Sequence, residues 1–434
     1  MKPMNCRCLE RTENGSEVKG SVKSSILRIL LIWSVLMLWG CGSSSGTAGF
    51  SGQGGFSEFS GLPGPGQGNV GPGTGNPVDF GGGGGGEGAP ISFLLFADPT
   101  PNGGGGSVVS VAVFSDGFLS VVDDEANGGR PLGVDVAPNQ DFLYTSNAGN
   151  ETIVPFIVDR LTGGVLPNGN PISADLGASL DAVQRIFVHP SGNFAYATHF
   201  NSAVSSYLLA VDGTISENLA SPPIDQNGRF TRFTFGANGD RIYAVDGDLG
   251  TITIFTVNLT NGILDYLTPP PNEFFPSGLL SPSDSVLSRD GDFLYVSDSE
   301  GDVIQTYTID INGGLVPATS VATDEGPGFL ALHPTLPVLY SANSANSINI
   351  FTTGAGGVLA PLGASVSTVP GVRQILVDPS GEFLFAYETE GEIYAYAVGA
   401  TGELTFLNSY DFFELTSPRD AKIVPALTIE EPLP

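Results

Sequence analysis

Four arginines recur at one place in a repeating pattern: Arg185, Arg232, Arg373 and Arg419. Each stands at or just before the start of a short run with alternating apolar positions, such as Ile186 and Val188 or Ile375 and Val377. Asp284 opens another such run, and Asp420 follows Arg419 directly. A guanidinium holds a carboxylate or a phosphate through two parallel hydrogen bonds, so arginines gathered at equivalent points suit an anion. Two readings follow. The residues form a site for an acidic ligand, with Asp284 and Asp420 at its border, or the same two acids neutralise the arginines inside the fold. Arg185 and Arg232 lie one position later than Arg373 and Arg419, an offset that reverses the face on which a strand residue projects.

Histidine is scarce. His189 and His333 each precede a proline, Pro190 and Pro334, and read as turn residues. His199 follows an apolar run and is the one candidate general base. No His pair has metal spacing, and neither a Gly-x-Ser-x-Gly elbow nor a phosphate loop occurs, so no metal or cofactor is expected. The acidic stretches Asp246-Gly247-Asp248 and Asp298 to Asp302 match no calcium loop and read as solvated turns.

The elements that must position these residues are strands. The cleanest copy of the repeat runs from Arg373 to Leu407, with apolar runs at Gln374–Asp378, Phe383–Tyr387 and Ile393–Val398 and a fourth after Thr401-Gly402-Glu403. Ser380-Gly381 and Thr401-Gly402 supply the positive φ of tight corners. Second strands align at Phe93, Phe142, Phe194, Arg241, Phe293, Val338 and Phe383, separated by 45 to 52 residues. This is near the propeller period of about 40–50 residues. Inner strands precede them at Gly133, Arg185, Arg232, Asp284, Phe329, Gln374 and Asp420. The series opens on a second strand, Ile91–Ala97, and closes on an inner strand, Asp420–Pro425. The last strand must therefore complete the first sheet, because an open edge would be left otherwise. The expected fold is all-β: seven four-stranded antiparallel blades in a ring closed by the two ends of the domain.

The hairpin His189-Pro190-Ser191-Gly192-Asn193-Phe194-Ala195-Tyr196 resembles the repeat of the lactonase-family propellers. So do Asp378-Pro379-Ser380-Gly381-Glu382-Phe383 and the corner Asp159 to Leu166. That family includes 6-phosphogluconolactonase and carboxymuconate cyclase, and the likeness spans roughly residues 91–425. It implies a seven-bladed ring with ligands at the mouth of the central channel. Family members often carry Arg-His where the inner strand begins. Here Arg373-Gln374 and Arg419-Asp420 keep the arginine and lose the histidine.

The chain carries 16 basic and 45 acidic residues in 434, a net charge of −29. Such a surface repels nucleic acid, so no nucleic-acid partner is expected. Residues 1–40 read as a lipoprotein-type signal peptide: Lys19, Lys23 and Arg28 flank or enter the apolar run Ile26 to Gly40, which ends on Cys41. The exit resembles the bacterial lipobox, which makes Cys41 the lipidated residue and a membrane the first partner. Cys6 and Cys8 would leave with the signal, so no intramolecular disulfide is possible. Residues 41–89 are a Gly, Ser and Pro linker, 90–426 the propeller and 427–434 a tail. The expected address is a bacterial cell envelope, and the expected state a monomer.

Three functions fit. One is a tethered module presenting a rigid face to a small carboxylate, a sugar acid or a protein at the channel mouth. Another is a lactonase opening a sugar-acid lactone. A purely structural envelope role is the third.

Overall fold

The computed structural model describes residues 88–99, 105–176, 182–200, 203–221, 223–224, 229–267, 274–276, 278–368 and 371–427. The expected signal peptide, Cys41, nearly all of the linker and the tail from residue 428 lie outside these residues.

Seven antiparallel sheets follow one another around a central axis, each with at least four strands. Their inner strands are Asp420–Pro425 in blade one, then Pro131–Val136, Val183–Val188, Phe230–Phe235, Pro282–Leu287, Pro327–Leu332 and Val372–Val377 in blades two to seven. Among the described residues the one helical element is the 3-10 turn Ala355–Gly357. Blade one has the order Leu119–Ala126, Ser107–Val113, Ser92–Asp98 and Asp420–Pro425, so the last strand does complete the first sheet. Its pairing is continuous from Ser92 opposite Pro425 to Ala97 opposite Asp420. The opening strand is one residue later than the expected Ile91–Ala97. Ile91 still belongs to the sheet's hydrogen bonding, donating its amide to the Val113 carbonyl and accepting one from Ala426.

Second strands are apolar on both sides because a blade covers each face. Ser92–Asp98 is buried at every residue, and Phe194–His199 likewise. Outer strands face solvent, as in Leu315–Ala322, where mostly the first residue is buried. Layers of core therefore lie between successive blades; the one joining blades seven and one contains Leu94, Phe96, Val111, Phe385, Tyr387 and Ile393.

Polar bonds tie the blades at the end of the ring remote from the inner-strand starts. Tyr144, Tyr196, Tyr243 and Tyr340, all in second strands, donate their hydroxyls to Gly213, Gly262, Gly313 and Gly402 of the following blade, at 2.9–3.2 Å. Gly213 has φ +78°, and a Cβ there would lie 2.1 Å from the Phe142 ring, so the corner excludes any side chain. Blade seven has Phe385 at the tyrosine position. There Tyr410 of the outer strand supplies the bond instead, reaching Gly117 of blade one at 3.3 Å. His189 and His333 belong to the same mortar: their Nε2 atoms bond the Gly239 and Gly381 carbonyls at 2.7 and 2.9 Å.

Candidate functional site

The ladder between inner and second strands skips one inner-strand residue near its start in blades two to seven. The skipped residues are Leu132, Gln184, Thr231, Ser283, Gly328 and Arg373. Such a bulge lets two neighbouring residues face the same way, where a regular strand would alternate them. The next residue pairs again: Gly133, Arg185, Arg232, Asp284, Phe329 and Gln374, joined in blade one by Asp420. The offset between the two arginine pairs thus has a physical basis. Arg373 occupies a bulge, Arg419 the equivalent place ahead of Asp420, and Arg185 and Arg232 the paired ring behind them.

The paired ring is neutralised in part. Arg232 Nε lies 3.0 Å from Asp284 Oδ1, with side chains 21% and 5% exposed. Asp284 Oδ2 also accepts the Leu330 amide of blade six at 3.0 Å. Arg185 of blade three reaches Asp420 of blade one at 3.1 Å. Blade two lies between them, and its Gly133 packs against the Arg185 backbone; a Cβ there would lie 2.8 Å from Arg185 Cα. Asp420 Oδ2 accepts the Val134 amide as well, at 3.3 Å. The Asp284 carboxylate first, and Asp420 and Asp135 behind it, hold the Arg232 pKa above its ordinary value against the opposing effect of burial.

Gln374 occupies the ring position of blade seven and is fully engaged. Its Oε1 accepts the Tyr387 hydroxyl at 2.8 Å and the Ala421 amide at 3.0 Å, while its Nε2 donates to the Ala421 carbonyl at 3.2 Å. Gln374 is therefore a strut across the seam of blades seven and one. Burial pushes the Tyr387 pKa well up, so the phenol stays neutral and donates.

Arg373 and Arg419 have no carboxylate. Neither forms an ion pair among the described residues, and the Nε of each is buried with no hydrogen-bond acceptor. Burial pulls the Arg373 pKa down, and the positive charges of Arg419 and Arg185 pull it further. Arg419 is nevertheless held in place: its amide donates to the Ala97 carbonyl at 2.9 Å, and Asp98 Oδ2 accepts the Thr416 and Ser417 amides just before it. Two like-charged guanidiniums within electrostatic reach of each other and without an ion pair among the described residues suit an anion.

Beside them a cavity of about 420 Å³ opens at the same end of the inner strands, walled by blades three to six and sharing Arg185 with the arginine cluster. Its wall includes Gln184, Arg229, Thr231, Ser283 and Phe329, none of which the sequence reading proposed as a site residue, although Phe329 was placed at the start of an inner strand. The periodicity contained a signal for most of them, since Gln184, Thr231 and Ser283 are bulge residues equivalent to Arg373.

His199 is not part of this arrangement. It ends the second strand of blade three, is wholly buried, and bonds Ser205 Oγ through Nε2 at 2.8 Å; Ser205 in turn donates to Tyr207 OH at 2.9 Å. Among the described residues no group of three His, Cys, Asp or Glu side chains is placed to hold a metal ion.

No protein-family profile matches the chain, and no curated protein matches it in sequence. Solved structures do share its fold. A provisionally named 6-phosphogluconolactonase of Bacteroides fragilis aligns at a TM-score of 0.65 and 19% identity, over 77% of this chain and 98% of its own. The periplasmic gluconolactonase of Pseudomonas aeruginosa aligns at 0.66 and 16% identity, over 78% and 100%. A protein from Lactobacillus plantarum aligns at 0.63 and 17% identity, over 77% and 99%. At these identities the likeness is one of fold: the chain is a seven-bladed, lactonase-like propeller.

Proposed function

We propose that the channel mouth receives a sugar acid in its lactone form and opens the ring. The observation that carries the reading is that Arg373 and Arg419, within electrostatic reach of each other where the inner strands begin, form no ion pair among the described residues. A lactone carbonyl accepts hydrogen bonds from them weakly. As water adds, the carbonyl oxygen becomes an oxyanion and accepts far more strongly, which is the differential binding that lowers a barrier. The ring C–O bond then breaks, the ring oxygen takes up a proton from the attacking water, and the product is an open hydroxy acid. The arginines hold its carboxylate until release. Arg185 and Arg232, already paired with Asp420 and Asp284, keep the surroundings of the mouth close to neutral. In this geometry the water's proton has no route through His199, whose Nε2 is occupied by Ser205. The names of the two lactonase-like neighbours support the choice of lactone over other anions.

The test joins calorimetric titration of gluconate with a hydrolysis assay on gluconolactone. Replacing Arg373 and Arg419 together by Ala should weaken gluconate binding about ten- to a hundredfold, as expected for a lost charge-assisted contact of about 1.5–3 kcal/mol. It should lower turnover at least as much, while His199→Ala leaves turnover unchanged. Binding without turnover in the unaltered protein would favour the second reading, a tethered binding and presentation module. That reading draws on the lipobox and linker ahead of the propeller. For the address, Cys41→Ser should release the protein from the membrane fraction; continued sedimentation with membranes would leave lipid anchoring unsupported.

A further inference from the structure

We infer that Gln374 is the residue that keeps the arginine pair open to an anion: it caps the neighbouring blade as an acid would, and brings no charge with which to neutralise Arg373 and Arg419. The inference rests on the anion reading above and adds the residue that decides it. Three ring positions do one structural job. Each accepts the backbone amide that follows the ring residue of the next blade. Asp284 of blade five accepts Leu330 of blade six at 3.0 Å, and Asp420 of blade one accepts Val134 of blade two at 3.3 Å. Gln374 of blade seven accepts Ala421 of blade one at 3.0 Å. These amides belong to inner strands, which pair with a strand of their own blade on one side only, so a side chain of the preceding blade completes their hydrogen bonding.

At two of the three positions the acceptor is a carboxylate, and each carboxylate also holds an arginine: Asp284 holds Arg232 at 3.0 Å, and Asp420 holds Arg185 at 3.1 Å. At the third it is an amide. Gln374 lacks the charge and has a donor in its place, since Nε2 bonds the Ala421 carbonyl at 3.2 Å and the seam is tied in both directions. Arg373 and Arg419, which form no ion pair among the described residues, flank this neutral cap: one precedes Gln374, the other stands two residues before Ala421. A carboxylate at the cap would not be remote from them. The Tyr387 hydroxyl, 2.8 Å from Gln374 Oε1, lies within electrostatic reach of Arg373, Arg185 and Arg232. A fixed carboxylate there would compete with a bound anion for the same guanidinium. Gln374 is 7% exposed, whereas both arginines are partly exposed. The glutamine therefore acts through the arginines and has no need to touch the ligand.

The test sets Gln374→Glu beside Gln374→Leu in the full chain, with gluconate as the calorimetric probe. Gln374→Glu keeps an acceptor for Ala421 and Tyr387 and adds a charge; it should weaken gluconate at least about tenfold. Gln374→Leu removes the cap and stays neutral; it should lower the melting temperature and weaken gluconate by no more than about threefold. A cap that acted only through the shape of the seam would give the reverse order. Leucine at least as damaging to binding as glutamate would therefore overturn the inference, as would a glutamate variant that binds like the unaltered protein. A second measurement needs neither the ligand nor the leucine variant. Gln374→Glu should lower the urea midpoint more when Arg373 has been replaced by Ala than when Arg373 is present, because the new charge then lacks its partner. Equal shifts in the two backgrounds, in a protein that binds gluconate, would overturn the inference alone. Failure of the unaltered protein to bind gluconate would overturn the anion reading, and this inference with it.

Discussion

The two sides of the channel mouth use one residue type in opposite ways. On the side of blades four and five, Arg232 meets Asp284, and the acid also caps the next blade through the Leu330 amide. On the side of blades seven and one, Arg373 and Arg419 lie within electrostatic reach of each other and form no ion pair among the described residues, while Asp420 is taken up by Arg185. Scarcity of acids does not explain the difference in a chain with 45 acidic and 16 basic residues. Charge that is paired and hydrogen-bonded across blades belongs to the frame of the ring. Charge held half-buried, like beside like and short of acceptors, is a cost that the rest of the fold carries, and costs of that kind gather where a ligand binds. The register separates the two roles: the unpaired arginines stand one residue ahead of the ring position, Arg373 at the bulge of blade seven and Arg419 ahead of Asp420, and the ring behind them holds the paired ones.

The largest expected effect comes from removing both sides of the seam at once. Deleting residues from Ser417 onward takes away Arg419, Asp420 and the inner strand of blade one, and should abolish cooperative thermal unfolding. A truncated domain with an intact transition would show that the seam is dispensable. Next, Asp284→Asn should destabilise the fold by about 3–5 kcal/mol in denaturant titrations, because it leaves a mostly buried Arg232 without its counter-charge. A loss below about 1 kcal/mol would erase the contrast between frame and site. The double replacement of Arg373 and Arg419 by Ala should by comparison change stability by less than about 1 kcal/mol, since no ion pair is lost and repulsion is relieved. Gluconate should raise the melting temperature of the unaltered protein and not that of the double variant.

Acid should distinguish the two ends of the ring. Burial lowers the His189 pKa from 6.5, against the opposing pull of the Gly239 carbonyl. The unfolded chain then binds that proton more readily than the folded one, so this contribution is whole above pH 6.5 and is lost as pH falls below it. Melting followed from pH 7.5 to 5.5 should show the decline, and His189→Asn should flatten it. Anion binding at the arginines should stay level over the same range, since guanidinium does not titrate there. Tyr144→Phe should cost about 1 kcal/mol, for one hydroxyl bond to Gly213. Its measurement sets the scale of a single inter-blade bond against the paired carboxylates.

Much of the ring was legible in the residues because its determinants are local. Turn pairs such as Ser380-Gly381, and strands that are apolar on both sides, repeat visibly, and their count forced the closing role of Asp420–Pro425. The relation between arginines was legible only as an offset of one position. Its meaning depends on a bulge, and a bulge is a property of two strands, not of one. That Arg185 pairs with Asp420 could not be read at all, since it depends on how blades one, two and three come together at the channel mouth. His199 drew notice as a rare residue after a strand; burial beneath the next blade places it on Ser205 instead. Gln184 and Phe329 have ordinary residue types, and only their convergence on one cavity distinguishes them.

The pairing of Ser92 with Pro425 and of Ile91 with Ala426 also has a mechanical meaning. The described chain enters and leaves side by side, at the end of the ring opposite the arginines. A force pulling residues 91 and 426 apart would load their antiparallel bonds one pair at a time and unzip the seam, where a pull along the strands would have to shear every pair together. Single-molecule extension with handles at both ends should therefore open blade one first and at low force.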